Sequence, residues 1–229
     1  MLLYLIFGVF AIASWFVSRR LKSKFKKYSQ VPLDLTGADV AQRMLDSHGI
    51  HGVQILQTEG ELTDYYDPTN RTINLSPDVY SVASVAAVAV AAHETGHACQ
   101  HAQAYAPLKL RTALIPIQNI SAKILNVIFI ASFLLSFFLR GLFPITWALR
   151  IIIASYAVIA LTSFVTLGVE IDASQRAIAW LTKSGIVRHE KRDDAIDALK
   201  WAAYTYVVAA LSALATLLYY VVRYIGGRD

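Results

Sequence analysis

Two histidines four residues apart, with a glutamate beside the first, are the residues of this chain best suited to chemistry. The stretch reads Ala91-Ala92-His93-Glu94-Thr95-Gly96-His97-Ala98-Cys99-Gln100-His101-Ala102. On an α-helix that spacing sets both imidazoles on one face, one turn apart, as a single zinc ion requires. Glu94 projects from the same helix at the height needed to take a proton from a water at the metal, so H-E-x-x-H encodes two ligands and a base. The residues before it add weight. From Val82 to Ala92 every side chain is small or apolar, which suits a helix buried on most sides. A polar helix end that simply faces solvent is the plainer reading, and it leaves the histidine spacing without a purpose.

A catalytic zinc usually takes three protein ligands and keeps one position open for water. Glu170 is the candidate for the third. It stands in Gly168-Val169-Glu170-Ile171-Asp172-Ala173-Ser174-Gln175-Arg176-Ala177, directly after an uninterrupted apolar run, where a carboxylate is costly without a partner. Two expected membrane crossings separate His97 from Glu170, so the chain returns to the face it left; an odd number would rule Glu170 out. The competing reading is that Glu170 only marks where the helix leaves the bilayer.

The elements that must position these residues are unlike those of an ordinary soluble domain. In 229 residues, 56% are hydrophobic and 16% charged, and the mean hydropathy is positive. Charge-free runs at 1–18, 124–139, 151–169 and 201–222 carry the excess. A helix needs roughly 20 residues to cross the hydrocarbon core. The second run reaches that length when extended back to 117 past Lys123, whose stem can snorkel. The expected architecture is a mainly α membrane protein with spans at 1–18, 117–139, 148–169 and 201–222. A small α+β zincin-like catalytic module occupies 19–115, and a third-ligand segment at 170–200 completes the site. The first run reads as a retained anchor, since it lacks a basic n-region and continues through Trp15-Phe16-Val17.

Arg19, Arg20, Lys22, Lys24, Lys26 and Lys27 follow the first span with no acid among them, which places this segment in the cytoplasm and the N-terminus outside. The loop 140–150 and the tail from Arg223 then lie outside, and 170–200 inside. That makes a multi-pass protein of the cell membrane with its site on the cytoplasmic side. The net charge of +5 is explained by basic residues flanking apolar runs, so the partner is a lipid bilayer and not nucleic acid. The single Cys99 cannot form an internal disulfide, so it neither requires nor excludes an oxidising compartment.

Within the module, Thr36-Gly37-Ala38-Asp39 opens a helix with Val40, Met44 and Leu45 on one face, ended by Gly49. Val53-Gln54-Ile55 alternates as a short strand, residues 63–70 form a turn, and 71–75 form a second strand. Ser76-Pro77-Asp78 caps the helix that carries His93. The strand at 71–75 is either an edge that pairs with a peptide substrate or an ordinary sheet strand. Pro107 and Pro116 bracket a basic segment expected at the membrane surface.

The HETGHACQHA stretch, the preceding DYYDP and NLS segments, YAPLK after it and VEIDASQRA near the third span resemble the YugP-like membrane zinc metallopeptidases. The likeness runs over nearly the whole chain. It implies a membrane-embedded zincin-type peptidase, an endopeptidase by class, acting on peptides or membrane proteins with a Zn2+ cofactor. It makes His93, His97 and Glu170 the zinc ligands and Glu94 the catalytic acid/base. A more distant likeness is to HtpX and the CAAX-type prenyl peptidases, in which an aspartate stands four residues after the ligand glutamate. This chain has Ser174 there and Asp172 two residues after Glu170, which leaves open which of the two, if either, orients a ligand histidine.

His101 continues the histidine face, but about 12 Å of helix rise from His93 puts it beyond the same ion. It is a second-shell, substrate-facing or capping residue. Tyr65, Tyr66, Tyr204 and Tyr206 are candidate oxyanion donors or packing aromatics. His48, His51 and His189 read as solvated, and Cys99 as a buried small side chain. A metal-binding transporter or sensor, or a non-catalytic scaffold, is the alternative. A transporter would carry acids or histidines within its spans, and none of the four runs does. An intact Glu94 between intact ligands argues against a scaffold.

Overall fold

The computed structural model describes residues 1–138 and 145–227. Along the chain these form α1 (Leu2–Tyr28), α2 (Gly37–Ser47), β1 (Gln54–Gln57), β2 (Tyr65–Asp67), β3 (Thr72–Leu75), α3 (Pro77–Tyr80), α4 (Val85–Ala102), α5 (Ala106–Phe138), α6 (Ile145–Lys183) and α7 (His189–Gly226). Residues 140–144 of the expected external loop 140–150 and the last residue of the run 124–139 lie outside the described residues, as do residues 228–229 of the tail. Among the described residues four helices, α1, α5, α6 and α7, are long and apolar enough to cross a membrane. Each runs past its expected span: α1 continues through the basic stretch, and α6 continues into the third-ligand segment as far as Lys183, with α7 beginning at His189 within it. The basic segment between Pro107 and Pro116 forms the first part of α5, with Pro116 inside the helix.

The chain divides into two compact units. One comprises Met1–Ser14, Lys109–Leu167 and Tyr206–Asp229. Its centre is Leu125, Ile128, Ala148, Ile152 and Tyr220, with Tyr156 stacked on Tyr220 at 5.6 Å between ring centroids. Outside that centre Ile120, Val127, Ile130, Leu161, Leu218 and Val222 are exposed. So much uncovered aliphatic surface suits lipid, not water, as its solvent. Its buried hydroxyls are satisfied locally, as where Thr162 and Thr216 donate to the carbonyls of Val158 and Ser212 one turn back.

The other unit, Trp15–Leu108 with Gly168–Thr205, holds the polar chemistry. Its core joins α2, β3, α3 and α4 to the α6 and α7 segments through Val40, Met44, Leu45, Ile73, Leu75, Val79, Val88, Ala177 and Leu181, among others. The sequence signals for α2 hold: Thr36 and Asp39 form a reciprocal capping box, and Gly49 takes the left-handed conformation just past the helix end. Polar links fasten the later helices to this core. Trp180 Nε1 donates to Ser47 Oγ at 2.6 Å, and Lys24 and Tyr28 both reach the Asp197 carboxylate at 2.6 Å.

Three local differences from the sequence reading have identifiable causes. The helix expected from Pro77 onwards is broken, because Val31 and Leu33 exchange backbone hydrogen bonds with Val85 and Ala83 and hold Ser84 between them extended. Ser84 then caps α4 by accepting from the Ala87 N–H. Second, the expected turn contains β2, built on Tyr65 and Tyr66, which fit a pleated surface. Asp67 organises the turn that follows by accepting from Thr69 and Asn70. Third, β3 is the central strand of the sheet, parallel to β1 and antiparallel to β2. Both its sides are already paired, so the strand at 71–75 is not an edge open to a substrate.

Asp64, just before β2, ties the sheet to Ser76, just before α3. Its carboxylate accepts from the backbone N–H of Ser76 at 2.8 Å and from the Ser76 hydroxyl at 3.0 Å. Burial pushes its pKa above the usual carboxylate value, with the Ser76 donors acting in the opposite direction. Ser76 is fully buried. Asp64→Ala therefore strands a buried backbone donor, and we expect a loss of about 1–3 kcal/mol, read as a lower thermal unfolding midpoint of the purified protein.

Candidate metal centre

α4 is buried along almost its whole length, and alanine, the best helix former, fills much of it. Gly96, directly before His97, breaks that rule for a spatial reason. A Cβ at this position would lie 2.7 Å from the backbone oxygen of Ala173, so glycine lets α6 approach α4 backbone to backbone.

That approach delivers Glu170 to the histidines. Its Oε2 stands 3.2 Å from His93 Nε2 and 3.4 Å from His97 Nε2, and all three groups are buried or nearly so. The imidazole centroids are 4.9 Å apart with ring planes at 84°. Among the described residues these three are the group that could hold a metal ion. A tetrahedral zinc with bonds of about 2.0–2.2 Å separates its ligand atoms by roughly 3.3–3.5 Å. Two imidazole nitrogens and one carboxylate at these distances fit such an ion.

Around the triad lies a second layer of polar side chains. His93 Nδ1 is 3.0 Å from Ser174 Oγ, and His97 Nδ1 is 3.0 Å from Gln100 Oε1. Gln100 Nε2 donates to the Val169 carbonyl at 2.8 Å and to Asp172 Oδ2 at 2.7 Å. Arg176 Nε also donates to Asp172, and its Nη1 donates to Gln103 Oε1. The alternatives of Asp172 and Ser174 thus both describe real contacts: Ser174 meets one histidine directly, and Asp172 reaches the other through Gln100. Gln100 was missed by sequence reasoning. The signal available was a glutamine one helical turn after His97, on a helix otherwise short of polar residues.

Glu94 lies beside the triad with its side chain buried. Burial raises its pKa above the ordinary carboxylate value, Glu170 and Asp64 add to the effect, and the imidazoles of His93 and His97 oppose it. Burial also disfavours a charged His97, but the Glu170 and Glu94 carboxylates outweigh it and raise that pKa. Cys99 is buried as expected, its thiol pushed up to about 11 by desolvation.

The other candidates go elsewhere. His101 is exposed and shares a 2.8 Å hydrogen bond with the Tyr66 hydroxyl. The two line a cavity of about 490 Å³ with His48, His51, Arg71 and Gln103, and the triad is not part of its wall. Tyr65 is exposed on β2. Tyr204 packs edge-on against Trp201, and Tyr206 belongs to the other unit. The His189 side chain lies outside the described residues.

A family described as "Putative neutral zinc metallopeptidase" matches residues 3–225. The chain belongs to this family. A curated relative, "Putative membrane protease YugP" of Bacillus subtilis (strain 168), is 39% identical over 219 residues, covering 94% of this chain and 93% of the relative. No solved structure matches the chain. The zinc named in the family's description agrees with the donor set of the triad.

In this family member Gly96 sets the spacing between α4 and α6. Gly96→Ala forces α4 and α6 apart, with an overpacking cost of about 1–3 kcal/mol. Because the displaced helix carries Glu170, we expect the purified variant to retain less zinc by elemental analysis even where its helicity is unchanged.

Proposed function

We propose that the chain is a membrane-embedded, zinc-dependent endopeptidase, with the metal held by His93 Nε2, His97 Nε2 and the Glu170 carboxylate. The observation that carries this reading is the 3.2 and 3.4 Å separation of Glu170 Oε2 from the two histidine nitrogens. Membership of a zinc metallopeptidase family supports it.

When bound, zinc supplies a Lewis acid that polarises the scissile carbonyl and lowers the pKa of water. Glu94 accepts the proton of the attacking water at a carboxylate oxygen and returns it to the nitrogen of the leaving amine. A general acid/base works best when its pKa is drawn towards the working pH, and the desolvation of Glu94 acts in that direction. Ser174 and Gln100 hold the two imidazoles by their Nδ1 atoms, so the ligands need no rearrangement to receive the ion.

The spans 1–18, 117–139, 148–169 and 201–222 anchor a zincin-like catalytic module formed by 19–115 and 170–200. The six basic residues between Arg19 and Lys27, with no acid among them, put that module on the cytoplasmic side. Its substrates are peptides or membrane proteins cleaved near the membrane surface. The relative's description as a membrane protease and the four apolar helices are consistent with this placement.

Glu94→Gln keeps its zinc and loses proteolysis at least about 100-fold. The comparison is between membrane proteomes of cells expressing wild type and variant, with substrates accumulating in the variant; equal turnover contradicts the mechanism. Glu170→Ala lowers the zinc content of purified protein, and full occupancy in that variant removes Glu170 from the ligand set.

A further inference from the structure

We infer that Gln100 is a positioning residue that fixes the tautomer of His97 and clamps the helical turn carrying Glu170, an inference that rests on the proposed metal centre. Gln100 is fully buried, so its hydrogen bonds are made within the protein. Its Nε2 faces two groups that have no proton to give: the Val169 carbonyl at 2.8 Å and Asp172 Oδ2 at 2.7 Å. Only the NH₂ end of the amide can satisfy both, since the flipped amide would set an oxygen against two acceptors. Both amide hydrogens are then committed, and Oε1 is left as an acceptor.

Gln100 Oε1 stands 3.0 Å from His97 Nδ1. Nδ1 must therefore carry the hydrogen. A neutral imidazole has one N–H, so Nε2 keeps its lone pair, and Nε2 is the atom that faces Glu170 Oε2. The direction of every bond follows from the two acceptors at the far end of the glutamine. His93 is under no such constraint, because its Nδ1 faces the hydroxyl of Ser174, which can donate or accept.

The far end is itself braced. Arg176 holds Asp172 through Nε and Gln103 through Nη1, and its guanidinium lies 5.4 Å from the centroid of the Tyr105 ring. Asp172 Oδ2 meets two donors, Gln100 Nε2 and Arg176 Nε, and so serves both as an acceptor. Val169 and Asp172 also flank Glu170 on α6. One amide on α4 thus orients a histidine ligand and holds in place the turn that presents the carboxylate ligand.

The test reads the tautomer without metal. Full-length protein is labelled with ¹⁵N-histidine, stripped of metal and studied by imidazole NMR at alkaline pH, where imidazoles are neutral. Glu170→Ala is included so that the carboxylate does not compete for Nε2, and His97 is assigned by its loss in a His97→Gln control. We expect a protonated Nδ1 and a bare Nε2 at His97. Gln100→Met should give mixed tautomers. Asp172→Asn retains an oxygen that can accept from Gln100 and Arg176, so it should keep the wild-type tautomer and serves as the conservative control. With Glu170 intact, zinc affinity by chelator competition should fall about 10–100-fold for Gln100→Met and little for Asp172→Asn, with the His93 signals unchanged. A proton on Nε2 of His97 with Gln100 present overturns the inference, as does unchanged tautomer and zinc affinity in Gln100→Met. Failure of the metal centre itself looks different: zinc affinity would be indifferent to His93→Ala and Glu170→Ala, while the tautomer result stands.

Discussion

α4 and α6 meet at Gly96 and Ala173 with no side chain between their backbones, and this contact is what the candidate site depends on. Two of the candidate ligands lie on one helix and the third lies 77 positions beyond the first, so no local propensity can bring them together. A helix pair spaced by ordinary side chains would leave Glu170 short of the imidazoles. Glycine within a helix costs roughly 1 kcal/mol relative to alanine, and here that cost is offset by a closer crossing. The fully buried Ala173 and Ala177 on α6 keep the facing surface equally flat.

Close approach alone would make a poor site, because it buries two imidazoles and two carboxylates together. A buried polar group without a partner is costly, and a half-satisfied network is worse than an apolar core. The structure meets this by giving each ligand histidine its own contact on the side away from Glu170, a hydroxyl for His93 and an amide for His97. The amide is anchored to a carbonyl and to a carboxylate that an arginine holds in turn. Order is thereby passed outward from the triad until it reaches the partly exposed Arg176 and Tyr105.

The apolar helices impose a different constraint. In hydrocarbon every backbone polar group must be satisfied within its own helix, and the long continuous helices with exposed aliphatic side chains meet that demand. The other unit uses short strands, caps and turns, and these bring Asp64, Tyr66 and the start of α4 into place. Keeping the polar residues out of the apolar runs is what let four membrane-length helices be read without any structure.

The sequence by itself determined whatever is local or periodic. The i, i+4 histidines with Glu94, the four apolar runs, the Thr36/Asp39 capping box and the glycine past its helix are all legible because helix geometry and lipid solubility act within one segment. Glu170 was legible for a related reason: a carboxylate at the end of an apolar run asks for a partner. Tertiary structure alone decided whatever depends on a neighbour distant in sequence. It made β3 a central strand by pairing it on both sides, broke the helix after Tyr80 by pairing residues 83–85 with Val31 and Leu33, and assigned Ser174 and Gln100 to different histidines. Those outcomes turn on hydrogen bonds whose two ends lie far apart along the chain, and a linear pattern carries no record of which donor will find which acceptor.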